Sequence, residues 1–168
     1  MEQFDLNRFI EAQEKYNCYE KALEEVRNGN KEGHWIWYIF PQMRGLGRSY
    51  KSNYYGITSL LEAKAYMEND TLRKRLLEIT ETLYNQKCPS PEFIFGDLDA
   101  KKVCSCMTLF EIVYPGDIFT KVLDRMYDGD RCESTLSIVR NELKRNTIFY
   151  RTPSGLAIFI DFSLTFSS

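Results

Sequence analysis

The sequence predicts a mainly α fold: a single compact helical domain of about six to seven helices with a small C-terminal β-hairpin. Three observations carry this expectation. Apolar residues recur at spacings of three and four along most of the chain, as one buried face of a helix requires. Ser, Asp and Gly stand where such stripes begin and end. The period changes only near the C-terminus, where two β-rich runs flank a turn.

Phe9, Ala12, Tyr16, Tyr19, Leu23 and Val26 form the first stripe, predicting one helix that Asp5 or Asn7 caps and Gly29 ends. Ser59-Leu60-Leu61-Glu62 reads as a capping box and places a second helix from Leu60 to Met67. Asp70 opens a third, with Leu72, Leu76, Ile79 and Leu83 on one face, and Pro89 and Pro91 mark a break after it. Asp97 or Asp99 caps a fourth carrying Val103, Met107, Phe110 and Val113. Asp117 caps a fifth, with Ile118, Val122, Leu123 and Met126 inward and Gly129 as the stop. A sixth runs from Glu133 to Leu143. Two β-rich runs, 147–150 and 156–160, around Thr152-Pro153-Ser154-Gly155 predict the hairpin.

The segment His34 to Phe40 reads as strand by its aromatic and β-branched content, and as helix by its helical neighbours. Pro41 ends it in either case, and helix is the favoured reading. As a helix it would put Trp37 on the face of His34 and Trp35 on another.

At 168 residues the chain is most simply one domain over 1–168, a helical core at 5–143 with a hairpin extension at 144–168. No apolar run reaches the ~20 residues of a membrane span, and the acidic N-terminus lacks the basic and apolar regions of a signal peptide. A cytoplasmic protein is expected. The five cysteines are odd in number and lack metal-ligand spacing, so they read as reduced, mostly buried or incidental thiols, with no metal and no cofactor. A sequence pI near 5.6 argues against nonspecific nucleic-acid binding.

One window departs from this balance. From His34 to Leu61 there is no Asp or Glu, while Arg44, Arg48 and Lys51 fall inside, in a chain of net charge -2. The window holds the single histidine and both tryptophans, and runs into Gly45-Leu46-Gly47-Arg48-Ser49. Aromatic rings offer stacking faces, and arginine a planar fork of donors for phosphate or carboxylate. His34 is the candidate acid or base, because histidine titrates near neutrality; its plain alternative is a bond to a backbone carbonyl. Trp37 is the candidate stacker. Gln42, Arg44, Gly45, Gly47, Arg48 and Ser49 form a candidate anion loop, against the plain reading that glycines serve turn geometry. It has neither the Walker nor the Rossmann pattern. Lys102, Ser105 and Thr108, spaced by three, would make a polar ridge on the fourth helix, the far wall of a pocket or a solvated face. Glu62 is explained by its capping box. No Ser-His-Asp or paired-carboxylate constellation is present.

The run Asp5-Leu6 with Arg8-Phe9, Ala12-Gln13, Tyr16, His34 to Gln42 and Gly45 to Ser49 resembles a bacterial family, domain of unknown function 1810. The resemblance continues through Tyr55-Gly56-Ile57, Glu62-Ala63, Ala65-Tyr66, Ile94-Phe95-Gly96, Asp99, Lys102, Ser105, Met107 to Phe110, Gly129 and Thr135-Leu136. It implies a compact, mainly helical fold with His34 to Gln42 helical, and no established activity. Some members carry the label "calpastatin", which nothing in this sequence supports. Two departures stand out: Cys132 where the family suggests an acidic residue, and Cys106 where it suggests serine. The segment after Leu143 lies outside the resemblance and could serve homo-oligomer assembly.

The expected function is recognition of a phosphate-bearing, nucleotide-like small molecule, such as a dinucleotide or ADP-ribose derivative. The protein would sequester or sense it, or process it with His34 as acid or base; whether it is an enzyme stays open. The alternative is a protein-interaction module whose basic loop 44–51 binds an acidic partner.

Overall fold

The structure, a computed structural model, describes residues 4–146 together with 149–151 and 157–159. Its helices are α1 (Asn7–Glu14), α2 (Cys18–Arg27), α3 (Ile36–Ile39), α4 (Tyr50–Tyr54), α5 (Leu60–Glu68), α6 (Asp70–Tyr84), α7 (Pro91–Phe95), α8 (Asp97–Val113), α9 (Ile118–Met126) and α10 (Glu133–Asn146). The fold is mainly helical. None of these helices is long and apolar enough to cross a membrane.

The central helix is α8. Ala100, Val103, Ser105, Cys106, Met107, Thr108, Leu109 and Phe110 are all buried, so nearly its whole circumference is covered. It packs against α3, α5, α7, α9 and α10, while α6 joins α2, α5 and α9 on the other side of the core. Leu72, Leu76, Ile79 and Leu83 of α6 face inward as their spacing predicts. Aromatic residues fill the centre: Phe9 meets Tyr66 edge-on at 5.2 Å, and Tyr66 meets Phe110 at 5.3 Å.

The helices are more numerous and shorter than the six or seven expected. The single first helix is broken by Tyr16 and Asn17, whose φ values of 56° and 55° are left-handed. Asparagine tolerates that conformation, and tyrosine is there without such a preference. Tyr16 consequently leaves the apolar stripe and is 79% exposed. Two further single-turn helices follow serine caps. Ser49 Oγ accepts from Ser52 N at 3.1 Å to start α4, and Ser90 Oγ from Phe93 N at 3.3 Å to start α7. Pro91, expected to mark a break, occupies the first turn of α7, where its missing N–H is harmless.

Several expected caps are replaced. Neither Asp5 nor Asn7 caps α1, and no side chain caps α8 or α9. Asn69 rather than Asp70 caps α6. Asp99 is drawn away from capping by two lysines, with Lys31 at 2.8 Å and Lys102 at 2.7 Å. Asp117 pairs with Lys121. Beyond α10, β1 (Phe149–Arg151) pairs antiparallel with β2 (Ala157–Phe159), with Phe149 opposite Phe159, Tyr150 opposite Ile158 and Arg151 opposite Ala157. The rest of the expected hairpin, its turn at Thr152–Gly155 included, lies outside the described residues.

Candidate functional site

An open cleft of about 650 Å³ lies between the loop before α4, the middle of α8 and the start of α10. Its walls are Trp37, Gln42, Leu46, Gly47, Arg48, Ser49 and Ser52 on one side, with Leu98, Lys101, Lys102, Cys104, Ser105, Cys132 and Ser134 on the other. Seven residues proposed from sequence meet there: Trp37, Gln42, Gly47, Arg48, Ser49, Lys102 and Ser105.

The loop is fixed from both ends. Arg44 N donates to Ile57 O at 2.8 Å and Ile57 N to Gln42 O at 2.9 Å, a short parallel bridge that closes residues 43–57 into a loop. Gly47 lies so close to Ser52 that a Cβ would stand 2.7 Å from its Oγ, so only glycine lets the loop fold onto α4. Ser52 Oγ in turn donates to Ser49 O at 2.9 Å. Arg48 is left on this turn, exposed and without an ion pair or hydrogen bond to any described residue.

The expected helix from His34 to Phe40 is only the single turn Ile36–Ile39, with Trp35 as its N-cap, and the two indoles go different ways. Trp35 is core, 2% exposed, with its indole N–H donating to Glu25 Oε2 at 2.8 Å. Burial alone would raise the Glu25 carboxyl, but hydrogen bonds from Gly33 N, Glu32 N and the indole, with Lys31 nearby, hold it below the ordinary range. Trp37 is half-buried at the cleft wall. The ammonium groups of Lys51 and Lys102 stand 4.9 and 4.8 Å from its ring centroid, so the indole holds two cations at the cleft edge. Lys102 also bonds Asp99, whereas Lys101 has no described carboxylate partner.

Gln42 turns a side chain without a protein partner to the cleft. It is 7% exposed and lines the cleft, and its carboxamide makes no hydrogen bond with a described residue. Buried amides ordinarily find partners.

Four sequence candidates do not reach the cleft lining. His34 is exposed and absent from the lining, to which the single turn of α3 contributes Trp37. Arg44 is exposed, with Nε donating to Asn53 O at 3.0 Å. Gly45, at φ +100°, lines a shallower neighbouring depression with Leu46, Glu133, Ser134, Ser137 and Ile138. Thr108 is fully buried and structural: its hydroxyl donates to Cys104 O at 2.8 Å and accepts from Cys132 N at 3.0 Å.

Sequence reasoning missed Ser52, Leu98, Lys101, Cys104, Cys132 and Ser134. The signal for Lys101 was its place beside Lys102; the others belong to walls assembled by tertiary packing. Cys132 caps α10, its carbonyl accepting from Leu136 N at 3.1 Å, with Ser105 Oγ 3.2 Å from its sulfur. All five cysteines are free thiols, and among the described residues no group of three or more His, Cys, Asp or Glu is placed to hold a metal.

No curated protein matches the sequence. A solved structure does: the conserved hypothetical protein Rv1873 from Mycobacterium tuberculosis, 42% identical, superposes with a TM-score of 0.79. The match covers 82% of this chain and 97% of that one. A family model described as "Protein of unknown function (DUF1810)" matches residues 3–139, which takes in the loop before α4, α8 and the start of α10. The chain therefore belongs to the DUF1810 family, and the cleft is built wholly from the part of it that the family defines.

Proposed function

We propose that the cleft binds a phosphorylated, nucleotide-like small molecule. One observation carries the reading: of the fourteen lining residues three are basic, Arg48, Lys101 and Lys102, and none is acidic. In a chain of net charge -2 that is a local reversal of sign. A cleft lined by one sign of charge concentrates the opposite ion. Arg48 supplies a fork without an internal partner, suited to phosphate oxygens. The Gln42 amide and the Trp37 edge supply a polar and an aromatic contact for the remainder of the ligand, a base or a ribose. Binding and sequestration need nothing further from the residues present. Proton transfer by His34 has no support from its position, so turnover is not part of the reading.

Calorimetric titration with inorganic pyrophosphate and with ADP-ribose tests it. Saturable binding of either, weakened by Arg48→Ala, is expected; heat changes absent for both would refute it. A second reading has its own observation. Tyr50 and Tyr54 stack at 5.7 Å on α4 with exposed rings beside Lys51, a surface suited to an acidic protein partner. That reading gains if Lys51 and Tyr50 variants lose an acidic peptide while pyrophosphate never binds.

A further inference from the structure

The cleft contains one group that anion binding does not use. Cys132 stands at the cap of α10, where Ser, Thr, Asn or Asp would ordinarily offer an oxygen to the first free N–H groups. Its sulfur takes that place. The backbone N–H groups of Ser134 and Thr135 lie beside it, and Ser105 Oγ donates to it at 3.2 Å. Ser105 has one proton and two acceptors, Lys101 O at 3.0 Å and this sulfur, so the hydroxyl turns to whichever is more negative. Thr135 is fully buried and its hydroxyl, close to the Cys132 sulfur, has no hydrogen-bond partner among the described residues.

The charges around the sulfur point the same way. Arg131 is held by Glu111 and Asp124, and Glu133 by Arg140. Arg48 across the cleft and Lys101 on the same wall keep their charge unpaired among the described residues. Burial would raise the thiol, but the hydrogen bonds from Ser105, Thr135 and Ser134 outweigh it and hold Cys132 below the ordinary value of 9.0. Cys104, half-buried in the same cleft, goes the other way: burial and the charge of Cys132 push it up to about 11. Gln42 adds independent evidence that this space receives a molecule, since its side chain, 7% exposed as a residue, lines the same cleft and makes no hydrogen bond with a described residue.

We propose that Cys132 is a reactive thiol built into the cleft, and a site of oxidation by small hydroperoxides. A half-buried sulfur in an open cleft admits a small neutral oxidant. In the step, the thiol gives its proton to water, the thiolate attacks one peroxide oxygen, an S–O bond forms as the O–O bond breaks, and the leaving hydroxide is neutralised by the proton that the thiol released. Sulfur loses two electrons to the peroxide and becomes a sulfenic acid, which thiol reductants reverse. The assignment stands on the sulfur's surroundings. Only its consequence, that the added oxygen intrudes on bound phosphate, rests on the proposed anion binding.

The test treats the intact protein with hydrogen peroxide and dimedone, which traps sulfenic acid, and follows adducts at each cysteine by peptide mass spectrometry. Cys88, exposed, is the internal reference. Adducts at Cys132 accumulate severalfold faster than at Cys88, and Ser105→Ala slows Cys132 while leaving Cys88 unchanged. Labelling of Cys88 first, or none at Cys132, overturns the assignment. Inorganic pyrophosphate in excess separates the two proposals. Fast Cys132 oxidation without protection overturns anion binding in the cleft and leaves the thiol standing. Slow oxidation with pyrophosphate still binding by calorimetry overturns the thiol and leaves the anion site.

Discussion

Arg8 and Glu62, 54 positions apart, form an ion pair at 2.6 Å with 7% and 2% of their side chains exposed. The remaining guanidinium N–H groups donate to the carbonyls of Asp5, Tyr54 and Gly56. The second oxygen of Glu62 accepts from Thr58 N and Thr58 Oγ1, both at 2.7 Å. Every charged atom of the pair is thus satisfied, and the pair ties α1 to the loop that ends at α5. Breaking a buried pair by removing one member leaves an uncompensated charge and costs about 3–5 kcal/mol. Glu62→Ala should lower stability by about that amount in urea unfolding. A loss under about 1 kcal/mol would mean that Arg8 finds water once its partner is gone.

Arg48 has the opposite circumstance, a charge held at the surface with no partner. A hydrogen bond to a charged group contributes about 1.5–3 kcal/mol, and about 1.4 kcal/mol is tenfold in affinity. Arg48→Ala should weaken pyrophosphate binding by about tenfold to a hundredfold, with unchanged melting temperature. Arg48→Lys should recover part of it, because the fork is lost while the charge stays. Added salt should weaken the wild type more than the alanine variant. Calorimetry at two ionic strengths reads all three.

The two tryptophans should separate stability from binding. Trp35→Ala removes a fully packed ring and strands Glu25, so a loss of about 3–5 kcal/mol is expected. Trp37→Ala should cost much less in unfolding yet weaken the ligand, since Lys51 and Lys102 lose the ring that holds them. Equal stability losses in the two variants would contradict the division.

Asp99 sets an acid limit. Burial would raise its carboxyl, but Lys102 and Lys31 outweigh burial and hold it below the ordinary 3.8. A carboxyl depressed in the folded state contributes stability that is fully present above its unfolded value and lost as pH falls through the folded one. Stability should therefore be flat for this group above about pH 5 and decline below 3.8. Asp99→Asn should be less stable at pH 7 and show a shallower acid decline in chemical unfolding between pH 3 and 7.

Local pattern made the long helices legible, because α6, α8 and α9 bury the faces that their spacing specifies. The break at Tyr16 was not legible, since no glycine or proline announces it and only Asn17 favours the left-handed region. Glu62 illustrates a subtler limit. Ser59 Oγ does accept from Glu62 N at 3.1 Å, but the carboxylate goes to Thr58 and Arg8, and the charge pattern gave no hint of burial. At the site, residues of the acid-free window form one wall of the cleft, whereas His34 and Arg44, near them in sequence, lie outside its lining. The other wall comes from α8 and from Cys132, a residue read as incidental because its importance lies in the helix end it caps.

The placement of the two indoles also gives the molecule an optical reporter. Trp35 is sealed in the interior with a fixed carboxylate partner, so its emission is constant background. Trp37 stands beside two ammonium groups, so if the proposed anion draws those cations toward itself, its emission should change. Occupancy of the cleft would then be followed in the native chain by fluorescence, without a label and against an internal standard.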